Sequence, residues 1–303
     1  ELYDAIMRAQ GVPSNGYLPA DAKAKVYAKY TGPEATATQP NCDRAGYVRL
    51  LLLGVHHDVL ELKAGYPDAN GFAGDGSKDA ASGAPYVAKR AGLTFQFMDV
   101  LFAGSMNLTN TTRYGWQATS MRKQILSKGG TIFENIAVKD HIKPVYKYST
   151  REGGGAYSDG KNWRSIMGPP LANPSQPYGD SNPLERDSLF LLSYMEIFGK
   201  FYQSGFANDD EPYAWVNHAG YEYEYYSDVA LVARPDATEF PNGERVFKRN
   251  GTTGALCVWR TRHPGNSDNP SMRYRVITTD VATLVYPQDS TDATVGFSPT
   301  FCL

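Results

Sequence analysis

Apolar and polar side chains alternate from Leu93 to Met98. Leu93, Phe95 and Phe97 fall on one side of an extended chain, and Thr94, Gln96 and Met98 on the other. That period of two predicts a strand with one face in a core. A different pattern, a continuous apolar run in "GYVRLLLLGVHHDVLELKAG" bounded by Gly46 and Gly65, predicts one or two buried strands. "TIFENIAVKDHIKPVYKYST" reads as strand, and so do "YEYEYYSDVALVARP", "ERVFKRNG", "GALCVWRTRH" and "MRYRVITTDVATLVYP". Helical patterns interrupt this series. "LYDAIMRAQG" and "PADAKAKVYAKYTG" give an N-terminal helical segment over about 1–32. A helix near 112–128 is capped by Thr111 or Thr112 and stopped by Gly129-Gly130. Another, near 183–203, has Asn182 as its cap, Pro183 in the first turn and Glu185 three residues past the cap. Leu189, Phe190, Leu191, Leu192, Tyr194, Met195, Ile197, Phe198 and Phe201 cover nearly all of its circumference, which predicts burial. About eight strands with helices between them predict one β-rich domain over 1–303. Its expected class is mainly β with inserted helices, an antiparallel β-sandwich or jelly roll.

Composition sharpens that picture. Aromatic residues are 13% of the 303, with 21 Tyr, 29 Gly and 19 Pro, so turns are many and tyrosine is available for contact surfaces. A net charge of −2 supplies no basic field, and nucleic-acid contact is not expected. Three cysteines, Cys42, Cys257 and Cys302, are spaced too widely for a zinc or redox motif. The longest apolar run is too short to span a bilayer. "REGGGAYSDGKNWRSIMGPPLANPSQPYGDSNP" is longer than an ordinary turn, and loops of that length are usually functional or held by a neighbour.

Most candidate chemistry dissolves on inspection of its spacing. His56 and His57, as neighbours on a strand, point to opposite faces and do not grip one ion. Asp68, Asn70, Asp75, Ser77 and Asp79 offer oxygen ligands suited to calcium, but without the glutamate that closes an EF-hand loop; a solvated turn cluster is the favoured reading. Glu222 with Glu224, or Glu134 with Asp140, are nominees for the carboxylate pair of a glycosidase. No Gly-x-Ser-x-Gly is present, and "GGGAYSDGK" lacks the lysine-hydroxyl ending of a phosphate loop. Arg245, Lys248, Arg249, Arg260 and Arg262, with Phe247 and Trp259 between them, read as solvated loop-end charges in preference to a nucleic-acid patch. Asn107, Asn110 and Asn250 head glycosylation sequons. No catalytic residue, metal site or cofactor motif is assigned.

The strongest local signal is "HAGYEYEYYSDVALVARP". Tyr221, Tyr223 and Tyr225 alternate with Glu222 and Glu224, which predicts one face of tyrosines and one of carboxylates. Tyrosine buries a large area and keeps a hydroxyl for a hydrogen bond, which suits subunit contacts or sugar stacking. Trp215 and Trp259 join the three tyrosines as candidate binding or subunit-interface residues.

Two segments, "SMRKQILSKGGTIFENI" and "RDSLFLLSYMEIFGKFYQSGF", resemble coat proteins of small single-stranded DNA phages of the microvirus type. In those proteins both segments lie in insertions of a viral jelly roll, and here they occur in the opposite chain order. The resemblance implies a structural, self-assembling protein without catalytic activity, a viral coat subunit found in a virion or outside cells. Its partners would be copies of itself and other structural proteins. The alternative is a secreted carbohydrate-binding module or glycoside hydrolase that uses the tyrosine strand and Trp215 as a sugar platform.

Overall fold

The computed structural model describes residues 26–32, 45–62, 87–110, 116, 119–147, 186–193, 196–197, 223–226, 246–264, 273–277, 279 and 285–303. Over these the chain is mainly β with few helices. A four-stranded sheet has the order β1 (Val26–Lys29), β2 (Tyr47–Val55), β5 (Leu93–Phe97), β13 (Thr300–Cys302). A five-stranded sheet has the order β11 (Val285–Asp289), β10 (Arg273–Ile277), β9 (Trp259–Pro264), β12 (Gly296–Phe297), β6 (Phe102–Ala103). Neighbours run antiparallel, except β12 beside β9. Two small pairs, β3 (Val59–Leu62) with β4 (Val87–Arg90) and β7 (Lys248–Arg249) with β8 (Leu256–Cys257), complete the strands.

The two patterns that predicted strands account for the centre of the first sheet. The apolar run becomes β2, buried from Leu50 to Gly54, and the alternating stretch becomes β5, with Phe95 opposite both Leu52 and Phe301. The chain passes between sheets twice by short crossings, from β5 to β6 and from β12 to β13. Aromatic rings meet at those crossings. Phe102 and Phe297 of the five-stranded sheet stack with centroids 5.5 Å apart. Phe97 of the other sheet lies 6.2 Å from Phe102 and 6.5 Å from Phe301, and Tyr30 packs edge-on to both Phe97 and Phe102. Rings at such distances add to the burial term. Gly296 is required here: a Cβ would come within 2.2 Å of Val100.

Several expected elements are replaced. Val26–Lys29, placed in the N-terminal helical segment, is strand β1 paired to β2; pairing overrides a modest Ala/Lys helix preference. The rest of 1–25 lies outside the described residues. Near 112–128 the described helical turn is π-helical, Met121–Leu126, and Gly129 at φ 90° ends it. Thr131–Asn135, expected as strand, is a short helix, α1. Ile132 and Ile136 sit four apart and are buried with Phe133, a helical spacing inside a β-branched string. Residues 186–193, the first half of the expected helix near 183–203, run extended. Asp187 bridges Val145 and Phe190 bridges Thr300 through paired backbone hydrogen bonds of 2.8–3.0 Å. A run that is apolar throughout fits a buried extended segment as well as a buried helix, and periodicity does not separate them.

The basic residues of the C-terminal third turn inward. Lys248, Arg260 and Arg262 are buried, Arg249 is exposed, and Arg245 lies outside the described residues. The expectation of solvated loop-end charges is therefore corrected for three of them. Their heads find carbonyl oxygens: Arg260 donates to Gly104 and Asp289, and Lys248 to Phe97 at 2.8 Å and Met98 at 3.2 Å. Trp259, a candidate contact residue, is wholly buried; its indole donates to the Val246 carbonyl at 2.9 Å, and Lys248 sits 5.3 Å from its ring.

Burial pulls the Lys248 amine down to about 7, only partly opposed by Asp99. Below that value the group is charged in folded and unfolded chains alike. Between it and the unfolded value of about 10.4 only the unfolded chain holds the proton, so this group's contribution to stability rises with pH across that window. Lys248→Met should remove that rise. Unfolding free energies of wild type and variant, measured from pH 6 to pH 10, should shift in the wild type's favour by a few kcal/mol as pH increases. Parallel curves would contradict the assignment.

Candidate functional site

Among the described residues, the richest gathering of chemical groups lies where seven stretches of chain meet. β2 ends at Val55, and His56 takes a left-handed backbone at φ 53° before β3 begins at Val59. Histidine tolerates that region better than most residues. The turn delivers Asp58 into the interior and lays His57 on Tyr223, rings stacked at 3.9 Å. The two histidines thus occupy a turn, not the strand positions expected for them. Around Asp58 stand Thr94 of β5, Cys302 of β13, Lys147, Glu196, Tyr223 and, behind Glu196, Arg262 of β9. All are 6% exposed or less.

Lys147 is the hub. Its ammonium donates to Asp58 Oδ1, to Glu196 Oε1 at 2.8 Å and to the Tyr223 hydroxyl at 2.9 Å. It also lies 3.9 Å from the centre of the Phe190 ring. An ammonium has three N–H donors, and each has an acceptor. The Tyr223 hydroxyl in turn donates a hydrogen bond to Asp58, 2.9 Å from both oxygens. Thr94 Oγ1 and Cys302 Sγ donate to Asp58 Oδ2, the latter at 3.3 Å. Arg262 donates to Glu196 Oε2 and to the Leu191 carbonyl at 2.6 Å.

Glu196 is positioned by a capping box. The Ser193 hydroxyl accepts the Glu196 N–H at 3.1 Å, and the Glu196 carboxylate accepts the Ser193 N–H at 2.9 Å. The helical turn holding Glu196 and Ile197 thus starts from Ser193, not from Asn182. The same turn receives the Tyr223 N–H on the Glu196 carbonyl at 2.9 Å.

Two carboxylates and two cations make the cluster neutral. Burial alone would raise the Asp58 carboxyl, but Lys147 and then His57 outweigh it and hold it well below its usual range. Burial likewise opposes ionisation of Glu196, which Arg262 and Lys147 keep low. Burial works against the charge on Lys147, yet Asp58 and Glu196 hold its proton more firmly than in water. Burial followed by the Asp58 charge pushes the Tyr223 hydroxyl and the Cys302 thiol well above their ordinary values. Cys302 is thus a protonated thiol at neutral pH, a hydrogen-bond donor and not a nucleophile.

The tyrosine row is rearranged. Residues 224–226 form a 3₁₀ turn in place of a strand, so Glu224 points outward while Tyr223, Tyr225 and Tyr226 are buried. Tyr226 donates to the Gln96 side chain at 2.7 Å. Tyr223, Tyr225 and Trp259 therefore lie inside the chain and offer no face to a partner or a sugar. Tyr221, Trp215 and Glu222 lie outside the described residues, as do the Asp68–Asp79 loop and Cys42. Glu134 is an exposed residue salt-bridged to Lys139. Among the described residues no three His, Cys, Asp or Glu side chains are grouped to hold a metal. Of the cluster, only Ser193 and Glu196 carry a local signal, the Ser-x-x-Glu spacing. Asp58 and Cys302 are 244 positions apart. Comparison with protein-family models, curated proteins and solved structures finds no match to this chain.

The depressed carboxylates set an acid limit. Their contribution is complete above the unfolded values of about 3.9 for Asp and 4.3 for Glu, and is lost as pH falls through the lower folded values. Asp58→Asn should cost about 3–5 kcal/mol at neutral pH by leaving Lys147 undercompensated. That deficit relative to wild type should shrink in denaturation series taken from pH 5 down to pH 2. A deficit that stays constant over the range would contradict the role given to Asp58.

Proposed function

We propose that this chain is a structural, self-assembling subunit of the viral-coat kind, and that its two larger sheets form an antiparallel sandwich of jelly-roll type. The observation that carries the structural reading is the saturation of the buried cluster. Asp58, Lys147, Glu196 and Tyr223 spend their donors and acceptors on one another and on neighbouring segments of the same chain. Catalytic acids and bases face a space that a substrate enters, whereas these groups face each other. Such a cluster fixes relative positions, which is what a subunit of fixed shape needs. The sandwich reading draws on the two short crossings between sheets and the ring contacts of Phe97, Phe102, Phe297 and Phe301. The coat reading draws further on the resemblance of residues 120–136 and 186–206 to phage coat proteins. With Tyr223, Tyr225 and Trp259 directed inward, subunit contacts fall to other surfaces.

Light scattering and negative-stain electron microscopy of the purified chain, over a range of concentration and salt, test this reading. Assemblies of uniform size are expected. A monodisperse monomer under every condition would overturn it.

A further inference from the structure

Apart from the buried cluster, the π-helical turn Met121–Leu126 and the extended segment from Arg186 enclose an open recess of about 830 Å³. Its floor is apolar, with Leu126 and Leu189 buried. The one acid among its described lining residues, Asp187, is already engaged: Arg122 pairs with one oxygen, and the Trp116 indole donates to the other at 2.8 Å. Three further cations, Lys123, Lys128 and Arg186, are exposed at its walls, and none of them makes an ion pair among the described residues. Half-buried Tyr146 lines the same recess, and the Arg186 guanidinium lies 5.9 Å from the centre of its ring. On a chain of net charge −2 this is a local concentration of positive charge beside an aromatic ring.

We infer that this recess binds single-stranded nucleic acid. Lys123, Lys128 and Arg186 would meet successive phosphates, and Tyr146 with the Arg186 plane would receive a base. Cations tracking a backbone beside a stacking ring are the combination by which single strands are held without sequence preference. A duplex presents a convex, rigid surface and does not enter a concave recess of this size, whereas a flexible strand does. An acidic peptide without aromatic residues would satisfy the charges but supplies no flat ring for Tyr146. Whole-chain charge argues against nucleic-acid contact; the placement of these four side chains argues for it at one spot. The inference does not depend on the coat reading.

Fluorescence anisotropy of the full chain with a short fluorescein-labelled oligothymidine provides the test. Three phosphate contacts predict a log–log salt slope of about −2. Lys123→Glu with Lys128→Glu should weaken binding by at least ~10-fold at low salt, through loss and reversal of charge. Both side chains are exposed, so thermal unfolding of that variant should match wild type. Tyr146→Leu should cost several-fold, while unlabelled oligothymidine should compete far better than polyglutamate or inorganic phosphate. Absence of binding by wild type, unchanged affinity in the double variant, or equal competition by polyglutamate or phosphate would each overturn the inference.

Discussion

One ammonium group, that of Lys147, sits out of water between two carboxylates and a phenol, and the arrangement of the rest of the chain depends on it. An unpaired charge in that position would cost several kcal/mol. Lys147 is tolerated only if Asp58, Glu196 and Tyr223 arrive together. Each arrives by a different local device. A left-handed His56 swings Asp58 inward, a Ser193–Glu196 capping box aims Glu196, and a 3₁₀ turn sends Tyr223 in while Glu224 goes out. Thr94 and Cys302 fix Asp58 to adjacent strands of one sheet, and Arg262 fixes Glu196 to the other sheet. The cluster is thus a polar joint between the two sheets, complementary to the aromatic contacts at their crossings. Apolar rings supply burial without direction; the charged joint admits one register.

The sequence patterns that proved legible were those decided by neighbours in the chain. Alternation over 93–98 and the apolar run of β2 both mark strands, because a strand's faces are set by its own period. The pattern over 186–193 failed for a reason of the same kind. Its apolar residues are buried on every side, so no period distinguishes helix from extended chain, and the choice fell to backbone pairing with Val145 and Thr300. The tyrosine stretch failed because the hydroxyl of Tyr223 has a partner in Asp58, far away in sequence. The inward turn of Arg260, Arg262 and Lys248 was equally unreadable. Their acceptors are largely backbone carbonyls, which every residue possesses and no sequence pattern announces.

These features divide the molecule into an inside and an outside with different chemistry. Inside, opposite charges cancel and the hub groups are occupied by one another, which fixes their relative positions. Outside, Lys123, Lys128 and Arg186 are exposed around the recess that Tyr146 lines, the place proposed above for a single strand.

The central claim, that Lys147 and Asp58 act as one unit and not as two separate contributors, is tested most directly by a double-mutant cycle. Unfolding free energies of wild type, Asp58→Asn, Lys147→Met and the double variant are measured at neutral pH in urea. The account predicts that the double variant loses far less than the two single losses combined, with an interaction energy of about 2–3 kcal/mol. Single losses that add to within about 0.5 kcal/mol would contradict it.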